Sequence, residues 1–489
     1  RRRTLGLIVA VLPLLAPELL VGYGFASFEL SLLHRPTLNQ WLYFLLLVLK
    51  FAPAGLLARL AMPAPAVSAE AEFCARLLTV TRDEPSRSNV AAFARTRALV
   101  RLALLALKPA FWRTRLRKEL FQWGIWLRGS GVRQFVTFGV VFLLAFQEFE
   151  IASLMSIPSW TVSLFDAQAA GLQPEATFKR LLAPVLTQLF VLVPLVLVIW
   201  KFASDATPRW RATGHTRGRR SSLEIAGLVI GVLAVVALWV VPMFLIGRSG
   251  LNGIAGFVSN RTMLQSFFFD LLAAMLIASL SALFAVQLSG WLLRTRRSVA
   301  LSRGAIFVIA LPGLCGAMVV SLSLLLLIQR PELQGLRTTI LPVLIAMTVY
   351  LLPRALLLGL LVRSVQPDES LFLTRLLESS GNRFQRQSGA MLHWMLAARW
   401  RFWTGAVVFY WGLFHLSAVG ILCPPTIDVF PVRISVVPLP VRLYSLMHYG
   451  HNGPLSVMTL LSFIVPGVVI AALGMLLPKM GRRLFGRRR

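Results

Sequence analysis

The chain has 489 residues, 57% of them hydrophobic and 14% charged, with a mean hydropathy of +0.73 and a formal net charge of +31. Soluble proteins are about a quarter charged and somewhat under half apolar, so these values exclude a water-soluble globular fold. Three scattered cysteines, Cys74, Cys315 and Cys423, exclude a disulfide framework or a cysteine-based zinc site as the organising principle, and no basic stretch interleaves with stacking aromatics as a nucleic-acid module would.

Apolar runs of about twenty residues, the length that crosses a ~30 Å hydrocarbon core, predict ten spans. They lie near 5–28, 39–61, 134–156, 181–200, 223–247, 262–293, 304–328, 338–362, 403–423 and 456–477. The chain opens on Arg1 rather than Met, and the run from Leu5 is too long for a simple signal peptide. Connections alternate in charge. Basic ones are 62–133, 201–222, Arg294 to Arg297, 363–402 and the tail from Lys479 to Arg489; those at 157–180, 248–261, 329–337 and 424–455 are sparse. Lys and Arg accumulate in cytoplasmic connections, so both termini are expected there. Within the first long connection, Ala91 to Gly129 alternates Arg with Leu, Ala and Trp, the composition of an amphipathic helix lying in the headgroup layer.

Two stretches of the chain repeat one another. Phe73-Cys-Ala-Arg76-Leu-Leu78 recurs as Phe372-Leu-Thr-Arg375-Leu-Leu377 at a step of 299 residues, which also relates Pro13 to Pro312; Pro53 and Pro353 are one residue further apart. Val162-Ser-Leu-Phe165 followed by Gly171 echoes Val441-Arg-Leu-Tyr444 followed by Gly450, a step of 279. Matches that follow in order predict an internal duplication. It divides the chain into a first half at 1–200 with about four spans, a basic linker at 201–222 and a second half at 223–489 with about six. The second half has two spans, 223–247 and 262–293, without counterparts, and together with the missing Met this leads us to expect two N-terminal spans lost from the first half.

Ionisable groups inside spans are costly and are candidates for function. Glu148 and Glu150 fall near the outer end of the 134–156 span, two residues apart and so on different faces. His415 is equivalent to Glu148 by the 267-residue step that also relates Val141 to Val408. Facing each other across a pseudo-twofold axis, Glu148, Glu150 and His415 would line a path between the halves; the bland alternative is a set of interfacial or packing residues. Lys50 is expected to pair across helices in mid-span, and Asp270 to be interfacial.

The loop Glu369-Ser-Leu-Phe-Leu-Thr-Arg375-Leu-Leu-Glu378-Ser-Ser-Gly381-Asn-Arg383-Phe384-Gln-Arg386, running on to His393-Trp394, resembles the Glu-Ala-Ala…Gly signature of binding-protein-dependent type I ABC importer permeases. Gly381 and its basic followers match that signature, the glycine being expected to let the chain turn sharply after the helix; Arg375 replaces its glutamate, and His393-Trp394 its Leu-Pro. Phe142 to Met155 and Leu439 to Gly450 resemble the fused two-domain permeases of ferric-iron and thiamine importers. The resemblance implies an all-α transmembrane bundle of two pseudosymmetric halves in a bacterial inner membrane. It implies import of a small solute handed over by a periplasmic binding protein, driven by two copies of a separate ATPase subunit. The ATPase coupling loops would then use Phe73 and Arg76 in the first half, and Glu378, Gly381, Arg383 and Phe384 in the second.

No Gly-rich Lys-Ser/Thr phosphate loop, His-Glu-x-x-His or Gly-x-Ser-x-Gly elbow occurs in the chain. We therefore expect no enzymatic activity and no cofactor, with energy supplied by the partner. Two alternatives remain: a gradient-driven secondary transporter, which would want mid-membrane acids and broken helices, and a non-transporting scaffold or embedded enzyme.

Overall fold

A computed structural model describes residues 12–32, 35–61, 131–171, 174–205, 222–294, 312–365, 368–393, 399–423, 426–429, 432–435, 437–448 and 452–486, with the single positions 74, 124 and 396. Phe73, Arg76 and nearly all of the amphipathic stretch at 91–129 lie outside the described residues.

After a short 3-10 turn at Leu12–Leu15, the chain forms α1 (Glu18–Leu32), α2 (Pro36–Ala61), α3 (Gly131–Phe146), α4 (Glu150–Leu154), α5 (Trp160–Ala169) and α6 (Pro174–Asp205). Then come α7 (Ser222–Val235), a π-helical turn (Val236–Val240), α8 (Val241–Ser259) and α9 (Arg261–Arg294). The remainder is α10 (Ala317–Ile328), α11 (Leu341–Val365), α12 (Asp368–Glu378), α13 (Arg383–His393), α14 (Arg399–Leu413), α15 (Leu416–Leu422), β1 (Thr426–Val429), β2 (Val432–Ser435), α16 (Leu439–His448) and α17 (Asn452–Gly486). The strands form one antiparallel hairpin, Thr426 opposite Ser435, inside what the sequence predicted as a plain outer loop.

Six helices among the described residues are long and apolar enough to cross a bilayer: Pro36–Arg59, Lys179–Val198, Val229–Ser259, Arg261–Leu293, Leu341–Leu360 and Gly453–Leu476. The protein is a helical membrane protein. Side chains such as Phe190, Leu251 and Phe269, more than 70% exposed, give its flanks an apolar surface no water-soluble monomer carries. The other predicted spans are interrupted: 5–28 by the turn before α1, 134–156 between α3 and α4, 304–328 before α10. The span 403–423 bends by 59° between α14 and α15. The expected loop at 248–261 is also corrected. Helix continues through Ser259, and Asn260 alone makes the turn, its Oδ1 accepting from Thr262 Oγ1 at 2.8 Å and Met263 N at 3.1 Å to start α9.

One order of elements occurs twice. Glu18 opens α1 and Ala317 opens α10 at the 299-residue step; Phe146 and Leu413 end α3 and α14 at 267; α5 and α16 start and stop in register at 279. The largest apolar cluster draws on α8 to α11 and α14 to α17, with Leu20 of α1 inserted into it, and smaller clusters tie α1 to α6 together.

Helix α8 packs along α17 at a contact only glycine permits. A Cβ on Gly253 would lie 2.2 Å from the carbonyl of Gly453, a backbone group that has nowhere to retreat. Gly247, on the same helix, has nothing within 4 Å of its hypothetical Cβ. Gly253→Ala should therefore cost about 1–3 kcal/mol by overpacking, while Gly247→Ala should stay within about 0.5 kcal/mol of the parent. Thermal unfolding of the two variants in detergent checks this, and equal melting temperatures would refute the close crossing.

Candidate functional site: a polar centre where the helices break

In hydrocarbon a backbone carbonyl or amide outside a helix has no water to bond and costs several kcal/mol if unpaired. The chain leaves the helix at residues 16–17, 147–149, 315–316 and 414–415, and side chains bring these breaks together. Pro13 and Pro17 interrupt the first; Gly316, at φ +97°, turns the third. Around the first break, Leu12 O accepts from Trp239 Nε1 at 2.9 Å, Leu14 O from Trp411 Nε1 at 3.0 Å and Ala16 O from the Lys50 ammonium. The π-helical turn carries Trp239. At the third break, Leu314 O accepts from Gln147 Nε2, a residue of the second break. Donors thus cross in both directions: Trp411 reaches residues 12–18 and Gln147 reaches residues 312–316.

Carboxylates satisfy the exposed amides. Glu148 accepts from Ile151 N and, at 3.1 Å, from Ala152 N, closing the N-terminus of α4, and Tyr43 donates its hydroxyl to the same group at 3.0 Å. Glu150 reaches across to α15, where Leu416 N donates to its Oε1 at 3.2 Å. Glu18 occupies the first turn of α1. Each acid therefore stands at the positive end of a helix dipole.

The predicted trio is brought together, in a different pairing. His415 meets Glu150, Nδ1 to Oε1 at 3.4 Å, rather than its sequence equivalent Glu148. Both acids and the imidazole are at most 6% exposed, buried inside the helical bundle. The imidazole stacks on Tyr350 with centroids 4.0 Å apart and 7° between planes, and its Nε2 lies 3.1 Å from Ser417 Oγ. The Arg354 guanidinium lies 3.9 Å from the Tyr350 ring centre, which places it on the ring's other face. Lys50 pairs across helices as expected, 3.4 Å from Glu18.

The sequence reading missed Glu18, Tyr350 and Arg354. The signal was available: Glu18 and Arg354 are ionisable residues inside predicted spans, and Tyr350 is the counterpart of Lys50 by the step that relates Pro53 to Pro353. Asp270, expected to be interfacial, is 5% exposed and paired with Arg442 of α16.

Glu18, Glu150 and His415 each offer one donor atom, and the three atoms lie within 4.8 Å of one another. Atoms sharing one ion at about 2.1 Å stand at most about 4.2 Å apart, so a small closure would let this oxygen and nitrogen set hold a first-row divalent ion. The Lys50 ammonium already supplies a positive charge on the Glu18 side. Glu18 is the accessible member, its side chain 21% exposed.

The other predicted residues belong to a helical hairpin of α12 and α13. Asn382 Oδ1 accepts from Phe384 N at 3.0 Å and caps α13, and Glu378 Oε1 meets His393 Nδ1 at 2.9 Å across the pair. The turn does not use Gly381 as expected. Gly381 is exposed, lacks a positive φ, and a Cβ on it would meet nothing within 4 Å. Close packing falls instead to Gly389, whose Cβ would come 2.7 Å from Glu378 N. Arg383 opens α13. Phe372, Leu373, Leu376 and Phe384 stand more than half exposed on this hairpin.

No protein-family model matches the chain, and neither does any curated protein or solved structure.

Removing Lys50 leaves the partly exposed Glu18 unpaired and Ala16 O without its donor, at a cost of about 1–3 kcal/mol. Lys50→Met should show that loss in equilibrium unfolding, and Lys50→Met combined with Glu18→Gln should recover part of it. Full recovery is not expected, because Ala16 O also loses its donor. Additive single and double effects would mean that the two side chains do not interact.

Proposed function

We propose that this chain is the membrane-spanning permease of an ATP-driven importer, built as two pseudosymmetric halves of the type I kind. The observation that carries the reading is the twofold recurrence of one element order, with breaks whose side chains reach into the opposite set of helices. Two related bundles meeting at unwound segments are the arrangement expected of alternating access around a central site. Glu18, Glu150 and His415 would meet the solute on its path, with Glu148 holding the backbone beside them.

The α12–α13 hairpin joins α11 to α14 at a basic connection, cytoplasmic by the positive-inside rule. Its exposed Phe372, Leu373, Leu376 and Phe384 offer an apolar face to a soluble subunit. A rigid hairpin, closed at Gly389 and by Glu378–His393, can pass motion of that subunit to α11 and α14. In this reading two ATPase copies dock on the cytoplasmic side, one near Arg76 and one on this hairpin. A periplasmic binding protein delivers a small solute such as ferric iron or thiamine on the side of α5, α16 and the β-hairpin. The membrane is a bacterial inner membrane with both termini cytoplasmic, and the chain itself catalyses no reaction.

The buried acids and histidine at broken helices favour a second reading, a transporter driven by an ion gradient. Purification separates the two. An ATP-hydrolysing subunit should be retained by the solubilised parent and lost from Phe372→Glu/Phe384→Glu, whose substitutions sit on exposed positions and should leave the melting temperature unchanged. Retention by the double variant would refute docking at this hairpin. Uptake by proteoliposomes of the chain alone under a proton or sodium gradient would establish the second reading instead.

A further inference from the structure

We propose that a groove in the second half binds one anionic glycerophospholipid, headgroup toward the basic end of the bundle. The groove lies between α9, α11, α14 and α17, away from the polar centre, with a volume of about 1790 Å³. It follows α11 from Leu341 to Val362, about 30 Å at 1.5 Å per residue, enough for acyl chains that fill half of a ~30 Å core. Leu283, Phe284 and Leu473 on its walls are about half exposed, so it opens onto the apolar flank of the protein.

Its lining is graded in polarity. Toward the start of α11 the walls are Met275, Leu283, Phe284, Leu341, Leu344 and Ile345, with the hydroxyls of Ser279 and Thr348 as the polar groups there. Toward the end of α9 and the start of α14 they are Gln287, Ser289, Thr374, His393, Arg401 and Thr404. Trp291, 58% exposed, stands at that same end, where an indole suits headgroup depth. In sequence, α9 runs into Arg294-Thr-Arg-Arg297 and α14 opens on Arg399-Trp-Arg401, so arginines flank both helices that carry this end. A long apolar trough closed by hydroxyls, an amide and a guanidinium matches a molecule with hydrocarbon chains and a phosphate head. A basic pocket between membrane helices is how such headgroups are held.

Two glycines widen the trough. Gly290 and Gly405 both line it, and a Cβ on either would meet nothing within 4 Å. A side chain added at Gly405 therefore starts into open space at the groove wall.

The test is lipid retention. Solubilised in a non-ionic detergent and exhaustively washed, the parent should keep about one phosphatidylglycerol or cardiolipin per chain by mass spectrometry. Arg401→Gln should reduce retention about five- to tenfold, the worth of one basic side chain at a headgroup, and Gly405→Phe should abolish it. Adding phosphatidylglycerol to delipidated parent should raise its melting temperature, and phosphatidylcholine should not. Equal stabilisation by both lipids, or full retention by Gly405→Phe, would overturn the proposal. Should Arg401→Gln fail to fold, Gly405→Phe and the add-back decide alone.

Discussion

Inside an apolar bundle, a peptide group that leaves the helix must find a partner among side chains, because neither water nor lipid will serve. Four breaks impose that demand here, and the answers to it create the interior of the protein. Trp239, Trp411, Gln147 and Lys50 are spent on carbonyls, and Glu148 and Glu150 on amides. Because most of these partners come from distant parts of the chain, satisfying the backbone also joins the two sets of helices.

The same constraint explains why charge collects at the centre. A carboxylate is a strong acceptor for a helix N-terminus, but buried it needs compensation. Lys50 stands beside Glu18, His415 beside Glu150, and Arg354 and Tyr350 behind the imidazole. The result is a connected set of ionisable groups where the broken helices meet. Capping does not exhaust the acid: Glu150, which accepts one hydrogen bond through Oε1, also lies within reach of His415 and Glu18.

The two regions outside this centre differ in kind. The α12–α13 hairpin is small, self-capped and apolar on its exposed side. The groove along α11 is bounded by α9, α11, α14 and α17, and its walls pass from mostly apolar near the start of α11 to polar and basic near the start of α14.

What the sequence determined alone was the set of local properties. Runs of about twenty apolar residues can only be membrane helices, so α2, α6, α9, α11 and α17 were legible, and the matched steps of 299, 267 and 279 residues announced the repeated order. Glu148, Glu150 and His415 stood out because charge inside an apolar run is expensive wherever the chain places it. Tertiary structure decided the rest. Composition cannot tell an intact span from a broken one, since the breaks at 147–149 and 414–415 depend on partners elsewhere for the freed backbone: Trp160 Nε1 donates to Phe146 O, Thr161 Oγ1 to Glu148 O, and Leu416 N to Glu150. Nor does equivalence in a repeat fix contact: His415 matches Glu148 in sequence, yet meets Glu150, because which side chain reaches across is set by how the helices cross. Likewise Gly381 read as the turn glycine while Gly389 bears the packing, because the space around a Cβ depends on the neighbouring helix and not on the segment that carries it.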